Sequence, residues 1–284
     1  MKVNAKYVLQ EPDYRDAALP DSLDFTLRVQ GSRILGEVYL PSGIYDAPHP
    51  TVVLCHGIPG TNSNDDLAQC LRRMGCIVIR IYHRGAWGSD GYYTFSHCIE
   101  DCIATAEWAR TEGVKTYGVD PEAIFLIGHS AGGSTVINAA QQLPYIRGVV
   151  PFCPLDHPVL HKHRTEEQLK QVFRDFSNVL HIKDFEELWQ DSKMHQEAWS
   201  FHHSIPYFET HNLLLIGAAQ DTVTPPDIIL TPFWKALQEH GTKADHKFVV
   251  FPSNHSLDTA RLALAQTIGE WIEEVVKGQA KSEE

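Results

Sequence analysis

The stretch AIFLIGHSAGG, residues 123–133, decides the fold that this sequence predicts. Its first five residues are apolar, which is typical of a strand buried on both faces. The pentapeptide GHSAG (128–132) follows, and the small residues after it are compatible with a helix. A serine in a sharp strand-to-helix turn needs small residues two positions before and after it, because a Cβ there would clash with neighbouring backbone. The pattern therefore predicts that the turn exposes the Ser130 hydroxyl as a nucleophile.

The sequence on both sides of this stretch repeats the scheme of apolar runs and helical stretches. Residues 24–30 and 33–40 are predicted to form a hairpin joined at Gly31-Ser32. Alternation of buried strands with helices is typical of a parallel sheet covered on both faces. The predicted fold class is α/β, with a mostly parallel twisted sheet whose loops meet at one edge. The further apolar runs are 51–55, 76–81, 147–152, 212–217 and 247–251.

One segment, from about 154 to 206, interrupts this alternation. It shows no strand pattern but two helical stretches, the first opening with the capping box TEEQ (165–168) and the second covering about 184–199. An insertion of this size between two strands predicts a small helical cap over the strand ends. We therefore expect a single domain, residues 1–284, with a helical cap at about 154–206.

Two further reactive groups follow predicted strands. Asp221 ends the stretch NLLLIGAAQD, and His255 ends FVVFPSNH just before the last helix. A serine hydroxyl is a poor nucleophile until a histidine takes its proton and a carboxylate orients the imidazole ring. The chain contains 16 histidines, so position rather than abundance selects His255. Asp221 is the predicted acid, with Asp227 as the alternative.

This order of motifs resembles the α/β-hydrolase superfamily. The resemblance rests on His56-Gly57 after a strand, on GHSAG, and then on Asp221 and His255, and it extends from about residue 24 to 276. The loop YHRGAWGSDG (82–91) is similar to that of bacterial esterases and of the catalytic domains of prolyl-oligopeptidase-like proteins.

The resemblance also implies an oxyanion hole. In the family, the residue after the His-Gly pair and the residue after the nucleophile each donate a backbone N–H to the oxyanion. Carried over to this sequence, the donors are Ile58 and Ala131. The first assignment stays open, because the loop could place Pro59 or Gly60 differently and Pro59 has no N–H.

Other features of the sequence give weaker indications of function. Trp87 lies in the loop after the run 76–81, near the expected pocket, where it binds substrate or simply packs. Seven histidines occur between 154 and 206, but no set at firm ligand spacing such as HExxH appears. We therefore predict no metal and no cofactor.

Bulk composition excludes several partners. The formal net charge of −12 argues against nucleic acid or an anionic membrane as the main partner, and it favours a neutral or weakly polar small molecule. We see no signal peptide and no membrane span in the sequence. Six cysteines form no CxxC pair, which predicts reduced thiols and a cytoplasmic location. Nothing indicates the oligomeric state.

These features together predict a cofactor-free serine hydrolase that cleaves a carboxylic ester of a small molecule through an acyl-serine intermediate. A thioesterase and an acyl-aminoacyl or short-peptide hydrolase share this apparatus and remain alternatives, because pocket shape decides the leaving group. The alternative from a different class is a ligand-binding protein that keeps the fold without catalysis. Such proteins usually lose a member of the triad, whereas Ser130, Asp221 and His255 are all present.

Overall fold

The computed structural model describes residues 2–15 and 17–282, and an eight-stranded sheet organises this part of the chain. The order of its strands is β1-β2-β4-β3-β5-β6-β7-β8. Strands β1, β2 and β4 pair antiparallel, whereas β4, β3, β5, β6, β7 and β8 run parallel. The predicted α/β class is therefore confirmed. The strands are β1 Asp21–Val29, β2 Ser32–Leu40, β3 His49–Cys55, β4 Ile77–Tyr82, β5 Val119–His129, β6 Gly148–Phe152, β7 Asn212–Ala218 and β8 His246–Phe251.

Helices cover both faces of the sheet. Helices α1 and α10 pack on one face, where Trp271 of α10 lies 6.0 Å from Phe125 of β5 between ring centroids. Helices α2, α4 and α9 cover the other face. Burial of apolar side chains on both sides explains why β3–β7 are continuous apolar runs. These helices are α1 Asp65–Arg73, α2 Phe95–Trp108, α3 Val114–Tyr117, α4 Ala131–Ala140, α9 Pro226–His240 and α10 Arg261–Ser282.

The segment between β6 and β7 is helical, as the sequence predicts, but it contains more helices than the two expected. Its helices are α5 His157–His163, α6 Glu166–Phe176, α7 Phe185–His195 and the short α8 Ile205–Phe208. The capping box of α6 is present, with both reciprocal hydrogen bonds between Thr165 and Gln168. Helix α5 was missed because its seven residues include four that are histidine or proline, which gives no apolar helical period.

Hydrogen bonds attach this insertion to the loop after β4. The backbone N–H of His181 donates to the Gly85 carbonyl at 2.6 Å, and that of Tyr93 donates to the His181 carbonyl at 2.9 Å. On α7, the Asp191 carboxylate accepts from the N–H of Ser96 at 2.9 Å. The insertion is therefore fixed beside the carboxyl ends of the central strands. None of the helices described in the structure has the length and apolarity to cross a membrane.

Candidate active site

Ser130 occupies the sharp turn between β5 and α4. Its backbone has φ 55° and ψ −119°, a conformation that costs a non-glycine residue about 1–3 kcal/mol. Neighbouring elements hold this geometry: the Ser130 N–H donates to the Phe152 carbonyl at 3.1 Å, and the Ser130 carbonyl accepts from the Leu155 N–H at 3.0 Å. The turn presents the side chain at the carboxyl edge of the sheet, as the sequence predicts.

Two glycines make this turn sterically possible. A Cβ on Gly128 would lie 2.1 Å from the Gly132 carbonyl oxygen, and a Cβ on Gly132 would lie 2.4 Å from that of Cys55. Real Cβ atoms do not approach backbone this closely, so a larger residue at 128 would push the end of β5 away from the start of α4, and one at 132 would push α4 away from β3. The close approach also places the start of α4 against the end of β3, where the loop of Ile58 begins.

Asp221 and His255 form a hydrogen-bonded pair. The His255 Nδ1–H donates to Asp221 Oδ2 at 2.8 Å, and the other carboxylate oxygen accepts from the N–H groups of Val223 and Thr224 at 2.8 and 2.9 Å. Burial alone would raise the pKa of Asp221, but the hydrogen bonds from His255 and Thr224 outweigh it and lower this pKa to about 2. The acid is therefore a carboxylate at neutral pH, and it fixes the tautomer of the ring.

With Nδ1 protonated, the Nε2 atom of His255 carries the lone pair. His255 and Ser130 line the same cavity, although no hydrogen bond joins the imidazole to the Ser130 hydroxyl among the described residues. Such contacts are often long without substrate and shorten when it binds. Asp227, the alternative acid, lies exposed in the first turn of α9 and makes no contact with the ring in this part of the chain.

The two expected oxyanion donors also face this cavity. Ile58 and Ala131 both line it. Neither backbone N–H has an acceptor among the described residues, so both are free to donate to a bound oxygen. The loop before Ile58 is held by His56, whose Nε2 accepts from the His83 N–H at 3.2 Å.

The cavity itself has a volume of about 370 Å³ and mainly apolar walls. Leu169, Phe173 and Phe176 of α6 line it together with Ser130. Trp87 is not among the lining residues, contrary to the expectation that it lies at the pocket. Its indole N–H donates to the Pro59 carbonyl at 2.9 Å and its side chain borders a separate surface cavity, so it contacts the outer side of the Ile58 loop.

Sequence reasoning missed two residues that contact Asp221. The Thr224 hydroxyl lies 2.7 Å from Asp221 Oδ2 and 3.0 Å from the Cys153 carbonyl oxygen. The Cys153 thiol also lies within 4.8 Å of the Asp221 carboxylate, and burial raises the pKa of this thiol well above its usual value. The signal for Thr224 was its position three residues after an aspartate at a strand end, which suits a local turn. Cys153 gave no signal, because its contact depends on the pairing of β6 with β7.

One group of side chains brings atoms that can bind a metal ion close together. Within the described chain, the group whose ligand atoms lie within 4.8 Å of one another is Cys153, Asp221 and His255. His255 Nδ1 and Asp221 Oδ2 already hydrogen-bond to each other, so an ion there would have to displace the proton on Nδ1. In the insertion, His157 and His161 share the Ser192 hydroxyl at 2.7 and 2.8 Å and form no such group.

Comparisons with known proteins show the family and the fold of this chain. A family model described as alpha/beta hydrolase fold matches residues 53–224. A thiohydrolase of Aspergillus aculeatus, aneE, is 27% identical over 158 residues, which is 52% of this chain and about half, 46%, of that protein. The structure of Est1E from Butyrivibrio proteoclasticus is similar with a TM-score of 0.66 at 15% identity, over 89% of this chain and 99% of Est1E. Brefeldin A esterase, a bacterial homologue of human hormone sensitive lipase, gives 0.65 at 18% identity, over 96% and 82%.

Proposed function

The chain belongs to the alpha/beta hydrolase fold family, and from that premise we propose that it is a serine hydrolase acting on a carboxylic ester of a small molecule. Ser130 is the nucleophile, His255 the general base and Asp221 the group that orients the base. The observation that carries the proposal is the 2.8 Å hydrogen bond from His255 Nδ1 to Asp221, which leaves Nε2 basic in the cavity that Ser130 lines.

The reaction proceeds in two halves. Ser130 Oγ attacks the ester carbonyl carbon while its proton passes to His255 Nε2, and the carbonyl electron pair moves to the oxygen. The N–H groups of Ile58 and Ala131 hold this oxyanion, and losing one such donor typically costs about 10²–10³ in rate. Collapse breaks the bond to the alcohol, which leaves with the proton from Nε2. Water then attacks the acyl-Ser130 by the same steps and releases the acid.

A thioester is the second candidate substrate, and the similarity to a protein named thiohydrolase favours it. The same residues serve both reactions, because the oxyanion forms on the acyl carbonyl in each case. A thiolate is a better leaving group than an alkoxide, so it depends less on protonation by His255. An acyl-aminoacyl or short-peptide bond remains an alternative with the same apparatus.

The helical insertion belongs to the proposal as a cap within a single domain. Its helix α6 supplies part of the wall of the cavity, so residues at about 154–206 would bound the substrate end remote from the reacting carbonyl. All six cysteines are unpaired and buried, which supports a reducing, cytoplasmic setting.

A fluorophosphonate probe tests the proposal, because it reacts with an activated serine. We expect one adduct on the wild-type chain by intact mass and none on Ser130→Ala. Ser134→Ala, one helical turn further along α4, is the matched control and should keep the adduct. The same variants assayed with 4-nitrophenyl esters and their thioester analogues would identify the leaving group. An unlabelled wild-type chain that still binds the intact esters would indicate a ligand-binding protein instead.

A further inference from the structure

A second cavity adjoins the one that contains Ser130. It has a volume of about 530 Å³ and opens beside the start of α9. The two cavities share the lining residues Leu155, Leu160, Arg164 and Val223. Arg164 follows α5 in an extended conformation, directly before the residue that caps α6. Its side chain therefore stands at the junction of the two cavities.

The guanidinium of Arg164 has no protein partner. Among residues 2–15 and 17–282 it makes no side-chain hydrogen bond and no ion pair; only its backbone N–H is bonded, to Leu160. The carboxylates nearest to Arg164 along the chain are already paired with other basic side chains. Glu166 pairs with Lys170 at 2.5 Å, and Glu167 pairs with Arg174 at 2.8 Å.

No acidic side chain compensates this charge within the cavities. None of the described residues that line either cavity is Asp or Glu, although the whole chain carries a formal net charge of −12. Arg164 is half-buried and its guanidinium nitrogens reach solvent, so the apolar walls leave its N–H donors open to a ligand. An anionic group of a ligand would accept from these donors and would meet an uncompensated positive charge.

We propose that Arg164 binds a carboxylate carried by the substrate, so that the preferred esters are anionic. This inference rests on the proposed function, because it places that carboxylate in the cavity of the reacting serine. A carboxylate matches the planar guanidinium with two parallel hydrogen bonds and brings one negative charge to one positive charge. A phosphate monoester carries about −1.5 to −2, which a single arginine does not neutralise.

The apolar walls determine the chemistry of the part of the substrate that lies between the scissile bond and the carboxylate. Between Ser130 and Arg164 the cavity is lined by aliphatic and aromatic side chains, among them Leu155, Leu160 and Leu169. Each methylene buried there contributes about 0.8 kcal/mol. The substrate class is therefore an ester with an apolar chain or ring between the scissile bond and the carboxylate.

Two matched pairs of esters test this class and identify the side of the bond that carries the charge. 4-Nitrophenyl hydrogen adipate and 4-nitrophenyl hexanoate differ only at the far end of the acyl group, which is a carboxylate in the first ester and a methyl group in the second. 4-(Butyryloxy)benzoate and phenyl butyrate differ in the leaving group. For at least one pair, we expect Arg164→Gln to lower the ratio of kcat/KM, anionic over neutral, by about 10- to 100-fold, the effect of losing charge-assisted hydrogen bonds.

Control variants separate the position from the charge. Arg174→Gln removes an arginine from α6 that pairs with Glu167 and lines neither cavity, so it should leave both ratios unchanged. Arg164→Lys should retain part of the preference, because it keeps the charge but loses the planar donor pair. Ratios that change by less than twofold in Arg164→Gln for both pairs would overturn the proposal.

A binding measurement tests the role of Arg164 even if the chain does not hydrolyse esters. In a Ser130→Ala background the esters remain intact, and calorimetry gives the Kd of each. We expect the anionic member of the sensitive pair to lose about 10- to 100-fold in affinity when Arg164→Gln is added. If the wild-type chain neither labels with fluorophosphonate nor hydrolyses any ester, the proposed function fails, and this Kd ratio alone decides whether Arg164 binds a carboxylate. Equal Kd values with and without Arg164→Gln would overturn it.

Discussion

Two carboxylates lie close together in the sequence after β7, and their surroundings differ. Asp221 is buried and accepts hydrogen bonds from His255 and Thr224, whereas Asp227 is exposed on α9. Asp221→Asn should lower kcat by about 10⁴, because an amide can donate to Nδ1 and so favours the wrong tautomer of the ring. Steady-state kinetics on a 4-nitrophenyl ester measures the loss.

Asp227→Asn is the matched control for this prediction. It makes the same chemical change in an exposed position, and we expect kcat within about twofold of the wild type, as for a surface substitution. The reverse ranking of the two variants would move the acid to Asp227. Circular dichroism of both variants checks that each remains folded.

At the residue scale, position relative to the strands made part of the site predictable. Ser130, Asp221 and His255 each follow an apolar run, and parallel strands bring their carboxyl ends to one edge of the sheet. Arg164 could not be found this way, because its significance depends on which neighbouring charges are paired. The location of Trp87 outside the cavity was equally invisible, since it depends on the direction of a loop with positive φ at Trp87 itself.

At the scale of elements, α6 and α7 of the insertion have different relations to the cavity. Phe173 of α6 lines the cavity, whereas Trp189 of α7 packs on His161 with 4.6 Å between ring centroids. Trp199, after α7, stacks on His195 at 4.5 Å. Of these three aromatic side chains, the structure places one, Phe173, in the wall of the cavity.

Phe173→Ala should therefore shift the preference of the enzyme toward longer acyl chains. Removing the ring extends the apolar cavity, and each additional buried methylene contributes about 0.8 kcal/mol, which is several-fold per carbon. The measurement is kcat/KM across 4-nitrophenyl esters from acetate to decanoate. Trp189→Ala is the control, because it should lower thermal stability and leave the order of chain lengths unchanged. Equal chain-length profiles for wild type and Phe173→Ala would contradict the prediction.

Elements differed in how well the sequence predicted them. All eight strands were identified, six by continuous apolar runs bounded by turns, and β1 and β2 by the hairpin turn at Gly31-Ser32. Helix α9 was not identified, since Pro232 lies inside it and two prolines stand at its start. Helix α6 was identified by its capping box, which is a local signal that tertiary contacts do not override.

At the scale of the whole molecule, net charge does not describe the lining of the two cavities. The value of −12 favoured a neutral or weakly polar substrate, yet the two cavities contain an unpaired arginine and no acid among their described lining residues. Net charge sums over an entire surface, and recognition depends on the few groups that meet the ligand. The sequence supplies the sum but not the distribution.

Buried titratable groups make the stability of the fold depend on pH. Burial is the largest cause that lowers the pKa of His56, His129 and His157 to about 3, against an ordinary value of 6.5. Each of these rings is neutral in the folded chain and protonated in the unfolded one between these values. Each therefore contributes stability that is lost as pH falls from about 6.5 toward 3, by about 1.4 kcal/mol per pH unit.

Asp156, between β6 and α5, acts in the opposite direction. Its side chain is buried and accepts a single hydrogen bond, from the Phe201 N–H at 3.4 Å, and burial raises its pKa to about 7 from 3.8. The carboxyl therefore favours folding below pH 4, and this contribution is lost as pH rises toward 7.

Asp156→Asn keeps a neutral acceptor at this position, so its melting temperature should match the wild type near pH 4 and exceed it by several degrees at pH 8. Thermal unfolding followed by circular dichroism at intervals from pH 4 to 8 measures the divergence. Asp227→Asn, which removes an exposed carboxylate, should run parallel to the wild type over the same range. A parallel curve for Asp156→Asn as well would mean that the folded chain holds Asp156 ionised, with solvent or a cation stabilising the carboxylate.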